Sequence, residues 1–351
     1  MKKSLYKILL VLIIFSTVAF GQKPYRVGTT AANFLELGFG SAGISMGDAY
    51  VSVAHDLSSI YWNPAGLGYM EKSEFMMMYQ PWFAGINNSF VGYGYAHPIL
   101  GTFALGIYYM SYGSEEVTNV LMQEGTGEKF DGYDFAVNFS FGRRLAEWFS
   151  FGATGKYIGS KIWHCSGSAL AFDLGAIVNT KFLSKTGKPG DGLNIGTSIS
   201  NYGSKLSYNG IDLKQTVDIA PDEEGNYKYV PVRYELASWE LPLIFRIGIS
   251  FTPLLLDKQR LIVSIDALHL NNNSEYVNMG AEYKMKYDGV GDFSLRLGYR
   301  SAFMSDSEFG LTYGFGIKLY YLHNRTINID YAYRDIGILG NTHAFTFGIS
   351  F

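Results

Sequence analysis

The sequence predicts an all-β chain: a transmembrane antiparallel β-barrel of about fourteen strands, with an N-terminal segment plugging its lumen. Three observations carry this. The chain of 351 residues is 48% hydrophobic and only 17% charged, yet its mean hydropathy is +0.04; a multi-span helical protein is far more apolar and a disordered chain far less. The apolar excess is aromatic, with 25 Phe, 27 Tyr and 5 Trp beside 41 Gly. From Ser73 to Phe351 the polarity alternates with a period of two in segments of about ten residues, the length of a membrane-crossing strand.

The first element is a leader. Lys2, Lys3 and Lys7 precede the apolar run Ile8 to Phe20, and Ala19-Phe20-Gly21 offers small residues at the third-last and last positions before a cleavage site. The run is too short to span a bilayer, which needs about 18 or more apolar residues. Residues 1–21 therefore read as a signal peptide, and its loss takes the formal charge from −3 to −6. That acidity leaves no electrostatic footprint for nucleic acid. Cys165 is the single cysteine, so an exported chain has neither a disulfide framework nor a cysteine-based zinc site.

The strands follow. The cleanest is the last: Phe345, Phe347, Ile349 and Phe351 alternate with Ala344, Thr346, Gly348 and Ser350. The same pattern places strands at 73–80, 88–98, 101–111, 132–143, 149–161, 169–179, 192–203, 241–251, 259–270, 274–286, 291–301, 309–321, 325–335 and 341–351. An even count puts both ends of the wall on the periplasmic side. The two longest connections, Tyr112 to Asp131 and Ser204 to Glu240, then both fall on the extracellular side, where long loops belong. Lys181 to Asp191 is long for an inner turn.

Periodicity alone does not say which face of the sheet is wet; composition does. The polar faces carry Gly, Ser, Asn and single charges of both signs, while the apolar faces are aromatic and end in pairs such as Tyr108-Tyr109, Trp148-Phe149 and Tyr320-Tyr321, as lipid-boundary girdles do. Residues expected to face the lumen are Lys156, Asp173, Arg246, Asp266, Glu282, Lys284, Arg296, Arg300, Lys318, Asp330 and Arg334. Their mixed signs fit a wall-to-wall ion-pair network, the favoured reading, or the lining of a polar conduit. Phe351 on the apolar face resembles the aromatic chain end that serves as an outer-membrane assembly signal.

Residues 22–70 have another texture, rich in small residues. Asp56 is placed to N-cap a short helix in which Leu57, Ile60 and Tyr61 share a face, and Asn63-Pro64 ends it. A compact Gly-rich element ahead of a barrel at 71–351 is a natural plug. In the run Gly43 to Leu67, with Met46-Gly47-Asp48-Ala49-Tyr50 and Trp62-Asn63-Pro64-Ala65-Gly66-Leu67 as its most specific pieces, the chain resembles the PorV/PorQ family, relatives of the FadL (OMPP1/TodX) outer-membrane transporters. The resemblance implies a fourteen-stranded barrel with an inserted N-terminal segment. It also implies a role in handling secreted protein cargo, as in type IX secretion, or alternatively in taking up hydrophobic small molecules. Gly43, Met46, Gly47, Asp48, Trp62, Asn63, Pro64, Ala65 and Gly66 form the plug motif, with a structural role rather than ligand binding.

Other motifs carry less. Gly38-Phe39-Gly40-Ser41-Ala42-Gly43 matches GxGxxG but lacks the flanking strand and helix of a dinucleotide site. His164-Cys165, and His55-Asp56 with Ser58 or Ser59, are local clusters without the geometry of a catalytic set. Met76-Met77-Met78 reads as apolar filling. The sequence is thus read as a non-enzymatic outer-membrane protein without cofactor or metal. Its partners are membrane lipid together with secretion or cargo proteins at the outer loops, or a hydrophobic small molecule.

Overall fold

A computed structural model describes residues 26–225, 229–304, 307–321 and 325–351; the leader at 1–21 lies outside the described residues. From Glu74 onward the chain forms β1 (Glu74–Pro81), β2 (Asn87–His97), β3 (Gly101–Glu116), β4 (Lys129–Ala146), β5 (Phe149–Ile162), β6 (Cys165–Asn179) and β7 (Asn194–Gly203). Next come three short strands, β8 (Tyr208–Gly210), β9 (Lys214–Val217) and β10 (Val230–Arg233). The series ends with β11 (Ile244–Leu256), β12 (Gln259–Leu270), β13 (Tyr276–Tyr287), β14 (Gly291–Ala302), β15 (Leu311–Tyr321), β16 (Arg325–Asp335) and β17 (Asn341–Ser350).

Strands β1 to β7 and β11 to β17 make a closed antiparallel barrel of fourteen strands. It closes where β1 pairs with β17, from Glu74 opposite Ser350 to Tyr79 opposite Phe345, and where β7 pairs with β11, from Asn194 opposite Ser250 to Ser200 opposite Ile244. A closed wall leaves no backbone edge facing hydrocarbon, which is what allows strands to cross a bilayer. No helix among the described residues is long and apolar enough to do so.

The barrel is inside-out relative to a soluble one. Tyr93, Leu105, Phe139, Phe172, Ile247, Leu295, Phe315 and Phe345 are exposed on the outer face, whereas Asn138, Ser140, Thr154, Asp173, Ser198, Ser264, Asp266 and Arg334 are buried within. Fourteen segments of alternating polarity therefore become fourteen wall strands. Four run further than the alternation indicated: β3 reaches Glu116, β4 begins at Lys129, β6 begins at Cys165 and β11 reaches Leu256. The β3–β4 extension continues pairing beyond a bulge, to Glu116 opposite Lys129. Outside the hydrocarbon band, pairing no longer needs an apolar face, so this stretch carries no pattern to read.

The connections sort by end. At the end where β1 starts and β17 stops they are 98–100, 147–148, 257–258 and 288–290, with 180–193 the long exception. At the other end lie 117–128 and 204–243, the latter holding β8, which pairs with the start of β6, and the β9–β10 hairpin, beside the short connections 82–86, 163–164, 271–275 and 336–340. The two long loops share one end, as extracellular loops do.

Candidate functional site

Residues 30–73 thread the lumen from the outer mouth to the inner one. Near the outer mouth the Ala31 N–H donates to Glu240 O at 2.9 Å, and Asn272 Nδ2 donates to Thr30 Oγ1 and to Glu36. At the inner mouth Asn179 Nδ2 donates to the Tyr69 hydroxyl at 2.7 Å. The segment carries its own apolar core. Phe39 stacks on Phe90 of β2 with ring centres 3.9 Å apart, Phe34 stacks on Tyr108 of β3, and Tyr61 meets Trp62 edge-on. Apolar side chains of plug and wall thus fill the outer half of the lumen.

Trp62, 1% exposed, organises the plug. Its Nε1 donates to Phe39 O at 3.0 Å, and its ring lies against Gly38 and Gly43, where a Cβ would run into it. The GxGxxG run is thereby accounted for: its outer glycines make room for an indole. Asn63 is fully buried and satisfied on both sides of its amide. Its Nδ2 donates to Val51 O at 2.8 Å and to Ala176 O of β6 at 3.1 Å, and its Oδ1 accepts from the Ala65 N–H at 3.1 Å. That accepted bond is also the cap of the 3₁₀ turn Pro64–Tyr69. The helix that Asn63 ends is shorter than the sequence indicated, Ser59–Trp62. Asp56 sits too early to cap it; instead its Oδ1 accepts from the N–H and hydroxyl of Ser58, a local Asx turn.

Asp48 is the electrostatic anchor. It sits in the left-handed region at φ 65°, and its carboxylate meets Arg300 of β14 and Arg334 of β16. Beside it the plug touches bare wall: Cβ atoms at Gly280 and Gly298 would meet Met46 and Gly47. The far side has the same construction, with Pro64 over Gly152 and Gly175, Leu67 over Gly142, and Val51 over Gly196. Ala65 and Gly66 complete the buried turn, with Ala65 O accepting from Ser150 Oγ at 2.7 Å.

The lumen-facing charges fall into groups. Lys156 pairs with Asp173 at 2.6 Å, at a register shift between β6 and β7 where Asn201, at φ 65°, donates its N–H to Asp173. Arg246 bonds Ser200 at 3.0 Å and lies over the Tyr61 ring. Asp266 accepts from the Val51 N–H at 2.9 Å. Glu282 holds Arg296 at 2.6 Å and Lys284 at 3.3 Å, and Arg296 reaches Asp330 at 2.6 Å. Lys318 faces the inner half of the lumen without an ion pair among the described residues. Phe351 lies outside the wall, its ring stacked near Tyr93.

Of the discounted clusters, His55 packs its ring at a tilt against Tyr69, and His164 bonds Asp212 at 2.9 Å at the outer end, away from the lumen. Met76 and Met78 face the plug, and Met78 Sδ accepts from the Gly40 N–H. The wall glycines that seat the plug are functional positions that the sequence reading missed. Their signal was present as glycine recurring at inward positions of the alternation.

Between the inner half of the plug and strands β11 to β16 lies a cavity of about 260 Å³, lined by His55, Asp56, Glu74, Arg260, Glu282 and Asp330 among others. It continues into an inner mouth of about 620 Å³. The barrel is therefore packed toward the outside, where the apolar cluster sits beside the buried Asp48–Arg300–Arg334 ion pairs, and hollow toward the periplasm.

A family model described as "Type IX secretion system protein PorV" matches residues 20–219. No curated protein sequence matches the chain. Among solved structures, the toluene transporter TodX of Pseudomonas putida superposes with a TM-score of 0.52 at 12% identity, over 89% of this chain and 97% of that one. The toluene transporter TbuX of Ralstonia pickettii gives 0.52 at 11%, over 89% and 97%, and the CymD monoaromatic hydrocarbon channel 0.52 at 11%, over 89% and 96%. At such identities the likeness is one of fold.

Proposed function

The chain belongs to the PorV family, an outer-membrane barrel of transport or secretion, and from that membership we propose that it handles exported protein cargo at the bacterial outer membrane, without catalysis, through its outer loops. The observation that carries this reading is a filled outer lumen beneath an exposed outer face that is both apolar and acidic. Val120 and Leu121 at the tip of the 117–128 loop are 88% and 92% exposed, and the stretch Tyr112 to Asp131 holds five acids against one base. The longer loop presents Ile219, Tyr229 and Tyr234 around Asp222-Glu223-Glu224; its third tyrosine, Tyr227, lies outside the described residues. Large apolar side chains held in water beyond the membrane band favour a protein partner.

The test is removal of the β9–β10 hairpin, residues 214–233, leaving the Leu206–Trp239 bridge to close the loop. Cells carrying this variant are expected to place a folded barrel in the outer membrane and to accumulate type IX cargo in the periplasm. Unchanged cargo at the cell surface would sink the proposal. The second reading, passage of a hydrophobic small molecule, draws on the barrel form shared with hydrocarbon channels. It predicts an apolar molecule co-purifying inside the lumen, whereas the inner cavity is lined by charges and the apolar groove of about 530 Å³ around Phe293, Leu295 and Phe315 lies on the lipid-facing side.

A further inference from the structure

Acids of the inner cavity, Asp56 and Glu74 among them, stand outside the lumenal ion pairs, as do the bases Arg260 and Lys318. Glu282, Lys284, Arg296 and Asp330 satisfy one another, as do Lys156 with Asp173 and Asp48 with its two arginines. Asp56 of the plug and Glu74 at the start of β1 line the same cavity and enter no ion pair among the described residues. Glu74 is 6% exposed, and its Oε1 has no hydrogen-bond partner among them. On the neighbouring wall, Thr326 Oγ1, in a side chain 4% exposed, and Asn328 Oδ1 are likewise buried and unpartnered, and both residues border this space.

A carboxylate oxygen and an amide oxygen only accept, and a hydroxyl accepts as readily as it donates. The wall here is thus a patch of acceptors facing an opening to the periplasmic side, and leaving such groups unmet costs free energy. Lys318, the base beside Asn328 in the strand register, pairs with neither carboxyl. A metal ion fits poorly, because no group of three or more His, Cys, Asp or Glu side chains among the described residues is set to hold one. A primary ammonium group fits: it brings one positive charge and three N–H donors to two acids and two neutral acceptors.

We propose that Asp56 and Glu74, with Thr326 and Asn328, form a seat for a primary ammonium group on a flexible chain, entering the lumen from the periplasmic mouth. Such a group belongs to a lysine side chain or to a polyamine. The seat does not depend on the cargo reading, which concerns the opposite end of the barrel.

Calorimetric titration of the full chain in detergent tests this with three probes: spermidine, Nα-acetyl-lysine amide and choline. Choline carries the same single charge as the lysine amide but no N–H donor. Spermidine, the lysine amide or both are expected to bind, which also tells polyamine from lysine as the source, and choline to fail. Glu74→Gln is expected to lower the affinity by about tenfold or more, the scale of a charge-assisted hydrogen bond, with heat-modified gel mobility showing the barrel intact. If that variant does not fold, Thr326→Val serves, with a loss of about threefold to tenfold for one neutral bond. Equal binding of choline, undiminished binding in a folded variant, or no binding by the wild type overturns the proposal.

Discussion

The Nε of Arg300 on β14 lies 3.2 Å from Oδ2 of Asp48, and the Arg334 guanidinium of β16 closes on the other oxygen of the same carboxylate, so one plug acid is counter-ion to two wall arginines. Both guanidiniums are buried, Arg334 to 1% exposure. Breaking a buried pair from one side strands the remaining charge, at a cost of about 3–5 kcal/mol. Asp48→Ala is therefore expected to loosen the plug by that order. Asp48→Asn, which tolerates the left-handed backbone and keeps an acceptor, should cost less. Limited proteolysis of residues 26–73 in the folded barrel reads the difference; wild-type protection in Asp48→Ala would show that the apolar packing alone holds the plug.

Asn63 links plug to plug and plug to wall. Truncation to alanine removes two donated bonds and one accepted bond and leaves the Val51 and Ala176 carbonyls buried beside a void. Each abandoned buried polar group costs about 1–3 kcal/mol. Hydrogen exchange at the Ala65 and Gly66 amides is expected to accelerate strongly in Asn63→Ala while the amides of β1 and β17 keep their protection. Acceleration spread evenly over plug and wall would instead mean that the whole barrel had been weakened.

Much of the architecture was legible because membrane β-structure writes itself in period two: Phe345, Phe347 and Ile349 against Thr346, Gly348 and Ser350 could take only one arrangement in a lipid-facing wall. The Asp48 turn and Asn63-Pro64 were legible as a motif, but not as contacts. Nothing local in Asp48 indicates that its partners lie some 250 and more residues later on β14 and β16; such pairings depend on closure of the barrel. The polar ends of β3 and β4 were invisible for the opposite reason, since beyond the membrane neither face must be apolar and the alternation stops while the backbone pairing goes on. The seats at Gly142, Gly152 and Gly175 were hidden because an absent side chain looks alike whether it serves a turn, a bulge or close approach.

Those glycine seats make a steric prediction. Backbone atoms of Pro64 and Ala65 occupy the space a Cβ at Gly152 would need, and backbone yields less readily than a flexible side chain. Gly152→Val is expected to permit the wall to close, since valine suits a strand, while displacing the plug. The checks are heat-modified mobility for the wall and planar-bilayer conductance for the lumen, with Gly155→Val on the same strand as control because its Cβ meets only the edge of Phe172. A closed, non-conducting Gly152→Val barrel would count against the seat.

Acidity should act on the plug through His55. Its side chain is exposed to the inner cavity, with the ring tilted against that of Tyr69. Desolvation inside the barrel, helped by Arg260, Lys284 and Arg144 and opposed by Glu282, lowers its pKa from an ordinary 6.5 to about 4, and the cavity's water softens that effect. A histidine depressed in this way is neutral in the folded protein and takes up its proton more readily when the plug is out. Its favourable contribution is complete above about pH 6.5 and is lost as pH falls from there toward 4. Asp56 next door runs the other way, because burial raises its pKa above 3.8, so acidification relieves rather than stresses that carboxyl. The net slope is a difference between the two, and His55→Gln isolates one half of it: the variant keeps Asp56 and cannot be protonated. Proteolytic release of the plug is expected to rise more steeply for the wild type than for His55→Gln between pH 6.5 and 4. Parallel curves for the two proteins would remove His55 as the source of the acid response and leave the wall carboxylates to account for it.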